Sequence, residues 1–283
     1  MSESRVTEIK QIDRLLSDYA FKRGADFAQM FEQWMDWMIG WFEPRCLASK
    51  DYNLATVIEE MKDDDETFFE CFRLTAQATS YNIEQKGWYD AFGSLYEEKV
   101  KSGYKASSMG QFFTPDELCQ VCGEILYTKE SRFIYDPACG SGRLPMAIWS
   151  SIDKRKFHYF VLGDLDPLSC KMSALNMMLN GMFGIVERRD ALRMDFFGGY
   201  VVNEMCYPIP CAMPSIRVAD EMECRKNLAY ARRIAPHDDD VQEVVKIEHQ
   251  ATEPGAARTA AKPAKPTSPG QPIQFSLFNF DEL

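Results

Sequence analysis

DPACGSGR, residues 136–143, lies between the apolar run Phe133-Ile134-Tyr135 and a second run from Leu144 to Trp149. An apolar run that meets an acid, crosses two glycines and then resumes predicts strand, tight turn and helix. Glycine lets the backbone approach a ligand closely and tolerates positive φ. The helix behind such a turn presents free N–H groups. Two phosphate-binding loops are excluded. The third glycine of G-x-G-x-x-G is absent, and there is no G-K-[ST]. An acid at the strand end suits a cationic ligand better than a pyrophosphate. Taken alone, the two glycines fit a structural tight turn equally well.

Outward from this stretch, short strands alternate with helices. Strand candidates are Arg132–Tyr135, Tyr159–Leu162 and Ile185–Arg188, with a fourth at Tyr200–Met205. Helix candidates are Pro115–Leu126, Arg143–Ile152 and Pro167–Leu179. The alternation predicts an α/β fold with a parallel, Rossmann-like sheet of βαβ units. Ligands of such sheets bind at the carboxyl ends of the strands, where the strand order reverses. The second strand ends in VLGDLDP, which puts Asp164 and Asp166 at that edge. Asp164 is placed to take the hydroxyls of a ribose, and Asp166 to cap the following helix. The third strand ends in ERRDAL, where Asp190 is placed to accept from an adenine amino group.

In this order GQFFTP (110–115), DPACGSGR, GDLDP (163–167) and RDAL (189–192) resemble the DNA N6-adenine methyltransferases. The nearest type is the modification subunit of type I restriction systems, and the likeness covers roughly residues 105 to 200. It implies an S-adenosylmethionine-dependent methyltransferase sheet that needs no metal. It also implies S-adenosyl-L-methionine as cofactor, with its methionine part on the loop at Asp136, Ala138, Gly140 and Gly142. Phe113, Thr114 and Pro115 would cover the methionine end, Asp164 and Asp166 would lie at the ribose, and Asp190 at the adenine. DNA is the implied partner, together with a specificity or other subunit.

The same family carries Asn, Asp or Ser, then Pro-Pro, then Tyr or Phe, at its fourth strand end. These residues receive a flipped-out adenine. No such tetrapeptide follows Asp190, so no catalytic residue is assigned. Asn203 is followed by Glu204 and Met205, and Tyr207-Pro208-Ile209-Pro210 has the right residue types in the wrong order. The family continues with three more strands and a target-recognition part, whereas here one helical stretch, about 218 to 233, is predicted. The sheet is therefore expected to be incomplete. Three functions compete: adenine methylation of DNA with partner subunits, a degenerate cofactor-binding module, and methylation of another acceptor such as an RNA base or a protein amide.

Residues 1–104 read as a helical region, with Phe27, Phe31, Trp34 and Met38 at helical spacing and Gly40 as a stop. A further helix, capped by Asp65, runs to Thr79, and Trp88, Phe92 and Leu95-Tyr96 continue the pattern. These stripes are expected to form a core without chemistry of their own. Residues 105–235 form the methyltransferase domain, 236–270 a disordered linker poor in large apolar residues, and 271–283 a peptide motif. There Gln274, Phe275, Leu277 and Phe278 resemble the peptide that binds the bacterial sliding clamp; a tail folded onto the chain's own core is the alternative.

The net charge of −11 excludes attraction to DNA through the overall field, so contact with nucleic acid needs a local patch or a basic partner. Nine scattered cysteines and no signal-like start predict a reduced, cytoplasmic chain. With three histidines and the lone pair Cys119 and Cys122, a zinc site lacks ligands, and helix packing explains the pair better. No apolar run reaches the roughly 20 residues of a membrane span.

Overall fold

A computed structural model describes residues 3–43, 54–101, 114–126, 132–153, 156–204 and 214–235. The helical part comprises α1 (Glu3–Arg23), α2 (Phe27–Trp41), α3 (Leu54–Asp64), α4 (Glu66–Lys86) and α5 (Ala91–Lys101). Next come α6 (Asp116–Leu126), β1 (Phe133–Asp136), α7 (Arg143–Ser151), β2 (Tyr159–Asp164), α8 (Pro167–Leu179) and β3 (Gly184–Arg189). The described part closes with β4 (Phe196–Val202), β5 (Ile216–Ala219) and α9 (Glu221–Ile234).

The aromatic stripe of α2 does turn inward: Phe27, Phe31, Trp34 and Met38 are buried. Gly40 does not stop the helix, which runs on to Trp41 with Phe42 as its cap. Asp65 caps α4 by accepting from the Phe68 N–H at 3.0 Å, and the helix ends at Gly87, where φ is +86°. Trp88 precedes α5 rather than opening it. It is nevertheless fully buried, so its apolar character came from packing and not from helix periodicity.

The five strands lie in the order β1-β2-β3-β4-β5. The first three are parallel, and α7 and α8 make the crossovers between them. β4 then returns antiparallel to β3, and β5 antiparallel to β4. The fourth strand therefore starts earlier than expected, at Phe196, and forms a hairpin with the third. Val218 belongs to β5, so the last helix begins at Glu221 and not at residue 218. Asp220 caps it, with Glu223 answering from the first turn.

The strand order does not reverse, contrary to the expected switch point beside the loop. β1 is an edge strand within the described sheet, and its Phe133 and Tyr135 side chains are 37% and 59% exposed. One buried cluster runs from Ile12 through Trp34, Trp88 and Met146 to Ile216. The helical part and one face of the sheet thus share a core across residue 104. A smaller cluster around Tyr159, Phe183, Ile185 and Val201 lies under α9.

Candidate cofactor site

The turn between β1 and α7 has the backbone that the glycines predict. Gly140 and Gly142 have φ of +56° and +86°. A β-carbon on Gly142 would lie 2.9 Å from the Ser173 Oγ, so both conformation and space select glycine there. Gly142 is also the N-cap of α7 and has no side chain to occupy the helix's first N–H groups.

Two acids meet at this turn. Asp136 Oδ1 accepts from the Ala138 N–H at 3.1 Å. Asp164, at the end of β2, accepts from the Gly140 N–H at 2.9 Å through Oδ2 and from the Asp166 N–H at 2.9 Å through Oδ1. The side chain at the second strand end therefore holds the turn at the first. A carboxylate has about four acceptor positions, and Asp164 keeps capacity for further donors. Burial raises the Asp136 carboxyl above its ordinary value; the charge of Asp164 adds to this, and the Ala138 N–H opposes it. A bound cation would relieve that strain. Pro137, Ala138 and Leu165 are exposed, so the turn opens to solvent.

Asp166 does what the sequence predicts, accepting from the Ser169 N–H at 2.8 Å as the N-cap of α8. Asp190 forms its bonds locally. Its Oδ1 accepts from the Leu192 and Arg193 N–H groups at 2.9 and 3.0 Å, which closes the β3–β4 hairpin and lowers its carboxyl below the ordinary value. No described contact joins Asp190 to Asp136 or Asp164. Thr114 and Pro115 are exposed just ahead of α6, and Arg143 donates to the Thr114 carbonyl at 3.1 Å. Phe113 lies outside the described residues, as do Gln274, Phe275, Leu277 and Phe278.

The stretch after Asp190 carries no Asn, Asp or Ser followed by Pro-Pro and Tyr or Phe. Asn203 is 1% exposed, with φ of +54°. Its Nδ2 donates to the Met182 carbonyl at 2.8 Å, and its Oδ1 accepts from the Ser215 N–H at 3.1 Å. It ties the end of β4 to the turn after α8. Cys139 is buried within the glycine turn, and burial holds its thiol well above the ordinary value, so it stays protonated. A groove of about 380 Å³ runs along β1 under α9, lined by Tyr135, Val161, Arg189 and Leu228 and by no residue of the turn.

Sequence reasoning missed Asp90, Glu97 and Asn176, which hold the turn from behind. Asp90 sits in an aromatic stretch that reads as core, and only its acid among those rings could have marked it.

Residues 88–197 match the N-6 DNA Methylase family. The matched segment begins at Trp88, inside the helical part and ahead of residue 105. Among curated relatives, the chain is similar to the type I restriction enzyme MjaIX methylase subunit of Methanocaldococcus jannaschii. There it is 26% identical over 114 residues, which are 38% of this chain and 20% of the relative. It is likewise similar to the type I restriction enzyme MpnII methylase subunit of Mycoplasma pneumoniae. That match is 24% identical over 156 residues, or 51% and 29% of the two chains. The matches thus span less than a third of these relatives' length. No helix among the described residues is long and apolar enough to cross a membrane.

Proposed function

We propose that this chain binds S-adenosyl-L-methionine at the β1 and β2 ends and serves adenine-N6 methylation of DNA in a restriction-modification type system. The observation that carries the proposal is the Asp164 carboxylate gripping the Gly140 N–H across two parallel strands. It brings a positive-φ turn and two carboxylates together in one place, with no described cation opposite Asp136. Asp136, Ala138, Gly140 and Gly142 would hold the methionine end, with Phe113, Thr114 and Pro115 above it. Asp164 would take the ribose, beside the helix that Asp166 caps. Asp190 would reach the adenine through its second oxygen, since Oδ1 is engaged in the hairpin.

Such a cofactor supplies an electrophilic methyl group. The chain's own part is orientation, and holding reactants in line accounts for much of the acceleration in such transfers. The acceptor pocket is proposed to come from outside the described residues or from a partner subunit. A second reading, a cofactor-binding module without catalysis, is favoured by the buried structural bonds of Asn203. A cytoplasmic location and recruitment to a sliding clamp through residues 274–278 belong to the same proposal.

Incubation with methyl-labelled cofactor and unmethylated DNA, with and without host lysate, tests the function. Label in DNA only with lysate supports a partner-dependent enzyme. Cofactor binding without transfer in either arm supports the module. No binding in either arm removes both.

A further inference from the structure

The back of the glycine turn rests on a buried ionic network. Asp90, immediately before α5, is 1% exposed. Its Oδ2 accepts from the Ser141 Oγ at 2.7 Å and the Arg143 Nε at 2.8 Å. Its Oδ1 accepts from the Asn176 Nδ2 at 2.7 Å and the Gly93 N–H at 2.8 Å. Arg143 also donates from Nη1 and Nη2 to Glu97 of α5 at 3.2 and 3.3 Å, and from Nη1 to the Thr114 carbonyl. Asn176 of α8 donates to the Ser141 carbonyl at 2.9 Å and accepts from the Ala91 N–H at 3.2 Å. There is no slack in this joint, because a β-carbon on Gly93 would lie 2.2 Å from Asp90 Oδ2 and 2.6 Å from Ser141 Oγ.

A buried carboxylate is costly unless it is paired and fully hydrogen-bonded. An apolar contact would join helix to sheet without that cost. What the ionic joint adds is direction. It fixes Ser141 and Arg143, which alternate with Gly140 and Gly142, and through Arg143 it also fixes the backbone at Thr114. Burial alone would lower the Arg143 guanidinium, but the carboxylates of Asp90 and Glu97 raise it above its ordinary value.

We propose that Asp90 and Glu97 of the helical part, acting through Arg143 and Ser141, are positioning residues that set the glycine turn and the Thr114-Pro115 segment for the cofactor. This rests on the cofactor assignment above. It makes the end of the helical part a wall of the site, and separation of the sheet from α5 would abolish binding.

The test uses the full chain and Asp90→Asn, which keeps the side chain's size while removing its charge. Calorimetry with S-adenosylhomocysteine as probe should show at least a tenfold loss of affinity. Amide hydrogen exchange should rise at least tenfold at Gly140 and Gly142 while Phe160 and Leu162, in the middle of β2, keep their protection. A purely structural role would instead raise exchange at all four amides together. Should Asp90→Asn fail to fold, Ser141→Ala leaves the Asp90–Arg143 pair intact and carries the same test with a smaller, about threefold, loss. Unchanged exchange at the turn, or a uniform rise, overturns the proposal. If the unaltered chain does not bind the probe, the cofactor assignment fails by itself, and exchange at the turn still decides the positioning claim.

Discussion

Asp164→Ala removes the side chain that links the two strand ends. Two N–H groups, of Gly140 and Asp166, lose their acceptor at once. A hydrogen bond to a charged group contributes about 1.5–3 kcal/mol, and less where water can replace it. Asp164 is half-buried, so the lower end applies, and about 1–2 kcal/mol of stability should be lost. For a chain of this size that lowers Tm by roughly 2–8 °C. Under the proposed assignment ligand binding should suffer separately, because a ribose would lose its acceptor and the turn loses its clamp. One charge-assisted bond is worth about 1.5–3 kcal/mol, or roughly a 10- to 150-fold weaker Kd. Urea unfolding followed by circular dichroism measures the first effect, and calorimetry with S-adenosylhomocysteine the second. Normal affinity in a variant whose Tm has dropped as expected would refute the assignment of Asp164 to the ligand, while leaving its role in the turn intact.

Gly142→Ala places a side chain at φ +86° and 2.9 Å from the Ser173 Oγ, so a stability loss of about 1–2 kcal/mol is expected from the backbone term alone, measured by urea unfolding. Asn203→Ala leaves the Met182 carbonyl and the Ser215 N–H buried and unpaired, and should cost about 2–4 kcal/mol in the same assay; a variant of normal stability would contradict the structural role given to Asn203. The pH dependence follows from the raised Asp136 carboxyl. Between the ordinary aspartate range and its raised value the folded chain keeps a proton that the unfolded chain releases, so this group's contribution to stability declines as pH rises through that window. A cationic ligand favours the ionised form, so affinity should weaken as pH falls through the window, with proton release on binding. Calorimetry in two buffers of different ionisation enthalpy detects that release, and identical apparent enthalpies would count against it.

The parallel half of the sheet was legible because each strand ends in a side chain with a local signature. The glycines of DPACGSGR select the turn, and Asp166-Pro167 opens α8 as a cap followed by proline at its first position. Element boundaries from Arg143 to Leu179 needed only shifts of a residue or two. The antiparallel half was legible only in part: the fourth strand was expected at Tyr200–Met205 and overlaps β4, but its start, its direction and β5 were not. Phe196–Val202 contains Gly198 and Gly199, which weaken a strand signal, and its pairing with β3 depends on a hairpin closed by Asp190. An acid that caps a hairpin and an acid that receives an adenine look alike in a sequence. The same holds for Val218, whose apolar neighbours fit a helix start until Asp220 and Glu223 fix the cap two residues later. Asp90 was hidden for a different reason. Its partners Ser141, Arg143 and Asn176 are 51 to 86 residues away along the chain, so no local spacing reveals the network.

The proposed function places a sulfonium nucleoside against the turn at residues 136–143 and the acid at residue 164. Ultraviolet crosslinking of methyl-labelled S-adenosylmethionine to the full chain, followed by peptide mapping, addresses it most directly. Label is predicted in peptides that contain Asp136–Arg143 or Gly163–Asp166, and excess unlabelled S-adenosylhomocysteine should abolish it. Competable label confined to other peptides, or none at saturating cofactor, would rule that placement out.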